Sequence, residues 1–172
     1  MILSTCNRVE IIARAEGEAS NAIPDMVQFL AHYHHKPHAQ IEPYLYHHQQ
    51  GEAIRHLFRV ASSLDSMIVG EAQILGQIKE AYAIARNTGT LRGPLDEALA
   101  RSFHVAKRVR TETGIATSAV SVSYAAVELA RKIFGSLTDK KVLLVGAGKM
   151  SELAARHFLS SGATQIFVAN RS

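Results

Sequence analysis

The sequence has a single cysteine, no tryptophan and only four prolines in 172 residues. One cysteine permits no internal disulfide, which fits a reducing compartment. Aromatic residues make up 6% of the chain, too few for a platform on which bases would stack. No apolar run approaches the ~18 residues that a membrane-spanning helix needs. The opening residues lack the basic start and long apolar stretch of a signal peptide, so a cytoplasmic location without membrane contact is expected. Internal repeats and low-complexity segments are also missing. What is present suits a packed fold: 47% of residues are hydrophobic and 20% charged. The length allows one to two domains. A net charge of +4 permits a polyanionic partner such as RNA without demanding one.

Hydrophobic spacing outlines the elements. Residues 1–14 read as two short strands around a polar turn. Apolar residues at helical spacing predict helices over 19–35, 50–63, 72–86, 95–113 and 118–134. Lys36 to Pro43, with two prolines, reads as a loop. After Thr138 the pattern changes to strand 140–145, a glycine-containing turn, helix 149–161 and strand 165–169. That order opens a doubly wound α/β domain. Two parallel strands alone leave sheet faces and edges uncovered, so the chain is expected to be a piece of a longer polypeptide. The expected division is 1–115 for a cysteine domain, 116–137 for a linking helix and 138–172 for the start of a nucleotide-binding domain.

The strand pair carries the chemistry. Ser4-Thr5-Cys6-Asn7-Arg8 places the only thiol on a tight polar turn between two apolar runs. A nearby arginine favours the thiolate, the form that attacks. A lone cysteine is more commonly a small buried hydrophobe, but burial here would strand the polar groups of Asn7 and Arg8.

The second chemical signal is Gly146-Ala147-Gly148-Lys149-Met150-Ser151, directly after the apolar strand and opening a helix. Glycines there allow a tight turn and close approach of the backbone to a pyrophosphate, which the helix start then attracts. Ser151 takes the place of a third glycine. After the next strand, an NAD site offers an acid to the ribose 2′-hydroxyl. This chain offers Asn170-Arg171 instead, and an arginine attracts a 2′-phosphate. NADP(H) is therefore expected over NAD, with Arg171 as its partner.

Five stretches resemble one family, glutamyl-tRNA reductase. They are Ser4 to Glu10, His56 to Ala61, Leu64 to Ser66, Gly70 to Gln77 and Lys107 to Thr113. The likeness runs through essentially the whole chain in the family's order. It implies an α+β catalytic domain, half of a ferredoxin-like layer with added helices, then a long linking helix and the start of an α/β Rossmann NADP-binding domain. It also implies an activity, the NADPH-dependent reduction of glutamyl-tRNA(Glu) to glutamate-1-semialdehyde through a cysteine thioester, the first step of five-carbon porphyrin synthesis. At full length it implies a homodimer and hand-over of the aldehyde to glutamate-1-semialdehyde aminotransferase. Relative to the family, the chain starts after a first strand and helix. It lacks most of the NADPH domain and all of the dimerisation domain. Ser63 and Ala72 stand where the family commonly has glycine and proline.

By this resemblance Cys6 is the nucleophile and His56 matters for activity, either positioning the carbonyl or moving a proton. Thr5, Asn7, Arg8, Ser66, Glu71, Ala72, Gln73 and Gln77 carry over as substrate-binding positions. Physical reasoning leaves alternatives beside them. Arg8 grips a substrate carboxylate bidentately or pairs with Glu10. Glu71 receives the substrate ammonium or favours the positive end of the next helix. Lys107, Arg108 and Arg110 meet tRNA phosphates or stay solvated. Histidines at 32, 34, 35, 38, 47 and 48 invite a metal reading, but no ligand pattern accompanies them and no metal is expected. A small-molecule NADP dehydrogenase of the shikimate dehydrogenase type is the rival enzyme class, sharing the Gly-Ala-Gly turn and the Asn-Arg ending.

Overall fold

The computed structural model describes residues 1–15, 22–116 and 121–171. They fall into two compact units, Met1–Thr117 and Ser118–Ser172.

The first unit starts with an antiparallel hairpin of β1 (Ile2–Ser4) and β2 (Val9–Ile11), in the register Leu3↔Glu10. Side chains alternate along a strand, so Leu3 and Glu10 share the inner face while Ile2, Ser4 and Val9 point out. Then follow α1 (Ala22–Tyr33), a short α2 (His38–Ile41), a 3₁₀ turn at Glu42–Tyr44, α3 (Gln50–Ala61), α4 (Gln73–Asn87) and α5 (Gly93–Glu112). The core is built at helical spacing from Leu57, Val60 and Ala61 of α3, Ile74, Ile78 and Ala85 of α4, and Leu99 and Ala106 of α5. Leu3 and Leu91 complete it. Each fully buried leucine, isoleucine or valine side chain contributes about 1.5–3 kcal/mol. Ser102, fully buried on α5, turns its hydroxyl back onto the Leu99 carbonyl at 2.7 Å and stays satisfied.

The second unit holds α6 (Val122–Phe134), β3 (Lys141–Val145), α7 (Lys149–Ser160) and β4 (Gln165–Ala169). The Ser121 hydroxyl caps α6 by accepting from the Tyr124 amide. The strands β3 and β4 pair in parallel, Val142↔Ile166 through Val145↔Ala169, with α7 as the crossover. Val127, Leu137 and Ala163 form its small core, with Val142 and Phe158 packed against them. Leu143, Val145, Phe167 and Val168 are exposed.

The predicted elements appear with ends moved by a few residues. One prediction is corrected. The stretch read as a loop, Lys36 to Pro43, holds α2 and runs into the 3₁₀ turn. Pro37 is the N-cap of the first and Pro43 lies in the opening turn of the second, positions where proline's missing N–H costs nothing. Residues 19–21 of the first predicted helix, residues 117–120 of the helical segments expected over 116–137 and 118–134, and Ser172 lie outside the described residues.

Candidate active site

Thr5 closes the hairpin turn. Its amide donates to the Arg8 carbonyl at 2.9 Å, and its hydroxyl accepts from the amides of Asn7 (3.2 Å) and Arg8 (3.1 Å). The hydroxyl is thereby used locally, in a turn of the kind serine and threonine favour. Cys6 stands at the corner, reduced and exposed to solvent. The turn keeps it out of the core, as the flanking polar residues predict.

Behind the turn lies Glu10, a carboxylate that the sequence offers only as an alternative partner for Arg8. The Glu10 side chain is 7% exposed on the inner face of β2. One of its oxygens, Oε1, accepts from Arg8 Nη1 (3.0 Å), Tyr46 Oη (2.5 Å) and His56 Nε2 (3.0 Å). Burial works against its charge. The hydrogen bonds from Tyr46, His56 and Arg8 outweigh burial and hold the pKa below the usual glutamate value. Glu10 is an anion in the fold. Tyr46 responds in the opposite sense: burial and its bond to Glu10 push the phenol far above its ordinary range.

Asp65 completes the cluster. Arg8 Nη1 reaches its Oδ2 at 3.4 Å, Arg8 Nη2 donates to its carbonyl oxygen, and His56 Nδ1 lies 3.5 Å from the same Oδ2. The His48 ring lies 4.5 Å from that of His56, centroid to centroid. Asn7, Arg8, Tyr46, His48, His56 and Asp65 line one open cavity beside the cysteine turn. The structure therefore brings Asn7, Arg8 and His56 together and adds Glu10, Tyr46, His48 and Asp65. Glu10 and Asp65 lie in matched stretches and His48 in the histidine-rich segment, but their spacing does not show that they meet; Tyr46 carries no sequence signal.

The remaining substrate-binding candidates, Ser66, Glu71, Ala72, Gln73 and Gln77, lie outside the lining of that cavity, on the next loop and the start of α4. This loop is tied to itself. Ser63 Oγ donates to the Glu71 carbonyl at 2.5 Å, and the Gly70 amide donates to the Ser63 carbonyl at 2.9 Å. Ser63 adopts φ 58, a left-handed conformation that costs a non-glycine residue about 1–2 kcal/mol and suits the family's glycine. Ala72, the N-cap of α4 at φ −78, has a backbone that proline also accepts. Burial raises the pKa of the Glu71 carboxyl above the usual glutamate value.

The basic stretch on α5 divides. Arg110 Nη1 donates to the carbonyls of Gly70 (2.9 Å) and Glu71 (3.4 Å), clamping the loop. Arg108 pairs with Glu112 one turn on, at 2.8 Å in solvent. Lys107 is exposed. Among the described residues, no three His, Cys, Asp or Glu side chains are arranged to hold a metal ion.

In the second unit the glycine turn joins β3 to α7. Gly146 has φ 102, a conformation that requires glycine, and its amide donates to the Ala169 carbonyl at 2.7 Å. Gly148, the N-cap of α7, has an ordinary φ of −78, and a Cβ there would meet nothing within 4 Å. Neither conformation nor packing demands glycine at 148; open space over a helix start is what a close-approaching phosphate needs. Lys149, Met150 and Ser151 form the first turn of α7, and Ala147 completes the bend. The parallel register sets Asn170 and Arg171, just past β4, beside Gly146 at the same end of the strand pair. These residues fit a dinucleotide.

A protein-family model described as glutamyl-tRNAGlu reductase, N-terminal domain, matches residues 1–113. A second, shikimate / quinate 5-dehydrogenase, matches residues 128–172. Glutamyl-tRNA reductase from Solibacter usitatus is 61% identical over the whole chain, which covers 41% of that protein. Glutamyl-tRNA reductase 2 from Koribacter versatilis is 59% identical over the whole chain, covering 38% of that protein. The chain thus spans about 40% of the length of these curated relatives. Among solved structures, glutamyl-tRNA reductase from Methanopyrus kandleri shares 49% identity over 72% of this chain and 31% of that one, with a TM-score of 0.45.

Proposed function

The chain belongs to the glutamyl-tRNA reductase family, and on that premise we propose that it carries the cysteine-bearing part and the start of the NADPH-binding part of an enzyme that reduces glutamyl-tRNA(Glu) to glutamate-1-semialdehyde. The observation that carries this reading is the exposed Cys6 on a rigid turn whose flanking residues open onto a polar, charged cavity. The dehydrogenase match covers 128–172 alone, which fits a shared nucleotide-binding segment and leaves the hairpin to the reductase.

In this reading the Cys6 thiolate attacks the carbonyl carbon of the aminoacyl ester. A thioester bond forms, the ester C–O bond breaks, and the departing ribose oxygen takes a proton. His56, at the cavity wall, moves that proton or holds the carbonyl. Arg8 offers its guanidinium to the substrate side-chain carboxylate once Asp65 gives way. Asn7 at the cavity, and Ser66, Glu71, Ala72, Gln73 and Gln77 beyond it, supply further substrate contacts. Thr5 acts by shaping the turn. Gly146 to Ser151 would cradle the pyrophosphate of NADPH, with Asn170 and Arg171 at the 2′-phosphate; when bound, the cofactor supplies the hydride that releases the aldehyde and restores the thiolate.

The first unit reads as half of a ferredoxin-like layer with added helices, and the parallel β3–α7–β4 unit as the beginning of a Rossmann domain. Resemblance also supports a full-length homodimer in the cytoplasm and transfer of the aldehyde to an aminotransferase. The test uses the sequence extended to the length of its relatives. Cys6→Ala and Cys6→Ser are expected to abolish NADPH oxidation dependent on glutamyl-tRNA while tRNA binding persists. Retained reduction in either variant would falsify the thioester route.

A further inference from the structure

We propose that Glu10 is a positioning residue that fixes the ring proton of His56 on Nε2 and thereby presents Nδ1 to the cavity. The arrangement is specific. Glu10 sits on the inner face of β2, four residues after the candidate nucleophile, and His56 is 46 residues further along on α3. Their contact ties the orientation of the imidazole to the same hairpin that carries Cys6. A carboxylate oxygen accepts and cannot donate when ionised, so the nitrogen 3.0 Å from it is the one bearing hydrogen. The other nitrogen faces Asp65 Oδ2 at 3.5 Å, on the side where Asp65, Asn7 and Arg8 line the cavity. Asp65 is 42% exposed and Glu10 7%, so one carboxylate is fixed and the other can swing away.

Two further contacts make Glu10 a rigid reference. Tyr46 Oη and Arg8 Nη1 converge on the same oxygen, one from the segment before α3 and one from the hairpin. The groups facing the His56 ring are thus Glu10, Asp65, and the rings of His48 and Tyr46, with Arg8 bound to both carboxylates. Such a carboxylate behind an imidazole sets its tautomer and its angle, the service a buried acid gives to the histidine of a catalytic triad. Glu10 touches no reacting atom; it acts through His56, and the kinetic part of this inference rests on the proposed role of Cys6.

Two readouts test it. The first needs no activity: long-range ¹H–¹⁵N spectra of the 172-residue chain with labelled histidine. The expected result is His56 with its hydrogen on Nε2, kept in Glu10→Gln, whose amide oxygen still accepts, and replaced by mixed tautomers in Glu10→Ala. If Glu10→Ala does not fold, Tyr46→Phe serves, because loss of one donor to Glu10 should leave the tautomer in place and raise the exchange rate of the ring N–H. A wild-type hydrogen on Nδ1, an unchanged tautomer in folded Glu10→Ala, or an unchanged exchange rate in Tyr46→Phe overturns the proposal. The second is kinetic, on the sequence extended to its relatives' length. Glu10→Ala should lower the Cys6 acylation rate by about 10²-fold, the scale of general acid–base help, with a smaller change in KM. Glu10→Gln should recover most of that loss while shifting the pH profile. Equal damage from both variants, or an effect on KM alone, contradicts positioning. If wild type itself forms no thioester while His56 shows the expected tautomer, the function proposed above fails and this inference stands.

Discussion

The Tyr46 hydroxyl donates to Glu10 Oε1 at 2.5 Å, joining residues 36 apart in the sequence. The contact gives the fold two opposite pH dependences. The Glu10 carboxyl is held below the ordinary value, so its stabilisation is complete above the ~4.3 of a free glutamate and is lost as pH falls through the depressed folded value. The Tyr46 phenol is held above its ordinary value, so its contribution is complete below ~10 and is lost as pH rises through the folded value. Urea midpoints measured against pH should fall on both flanks. Tyr46→Phe should flatten the alkaline flank, and an alkaline flank of unchanged depth would show that the hydroxyl is not so engaged.

Arg110 and Arg108 lie two residues apart on α5 and should behave differently. Arg110→Ala removes a charged donor from the Gly70 and Glu71 carbonyls and should cost about 1.5–3 kcal/mol, the range for hydrogen bonds to charged groups. It should also speed amide exchange at Gly70. Arg108→Ala breaks only a solvated pair with Glu112 and should leave the urea midpoint unmoved. Equal effects would mean that Arg110 does not clamp the loop.

Gly76, inside α4 between Gln73 and Gln77, has open space where a Cβ would lie. Gly76→Ala should therefore stabilise the helix by about 0.5–1 kcal/mol. If the α4 face receives substrate, the same variant should raise KM for glutamyl-tRNA despite its greater stability. A stabilised variant with unchanged KM would remove Gln73 and Gln77 from the substrate surface.

The glycines of the β3–α7 turn separate conformation from ligand approach. Gly146→Ala should destabilise the second unit, since φ 102 is costly for any side chain. Gly148→Ala should leave thermal stability alone and weaken NADPH binding. Arg171→Asp should raise KM for NADPH far more than for NADH; an equal rise rejects the 2′-phosphate contact.

Local features were readable in the sequence and long-range ones were not. The period of apolar residues marks α3, α4 and α5, because Leu57, Val60 and Ala61, or Ile74 and Ile78, must share one buried face. The exposure of Cys6 follows from its polar neighbours. Pro37 and Pro43 misled because proline starts a helical turn as readily as it breaks one. The convergence of Arg8, Tyr46 and His56 on Glu10 is hidden in a different way. Glu10 occupies an inward position in a short hairpin, where spacing alone suggests an apolar residue, and its partners come from three separate segments. Only the folded chain shows that the buried carboxylate is satisfied.

The most direct measurement of the central claim is capture of the acylated sulfur. Sequence extended to its relatives' length is incubated with glutamyl-tRNA labelled in the glutamyl group, NADPH is withheld, and the protein is digested and mapped. The label should reside on the peptide holding Cys6, and should leave it as glutamate-1-semialdehyde when NADPH is added. Label absent from that peptide, with glutamate-1-semialdehyde still produced on adding NADPH, contradicts the account.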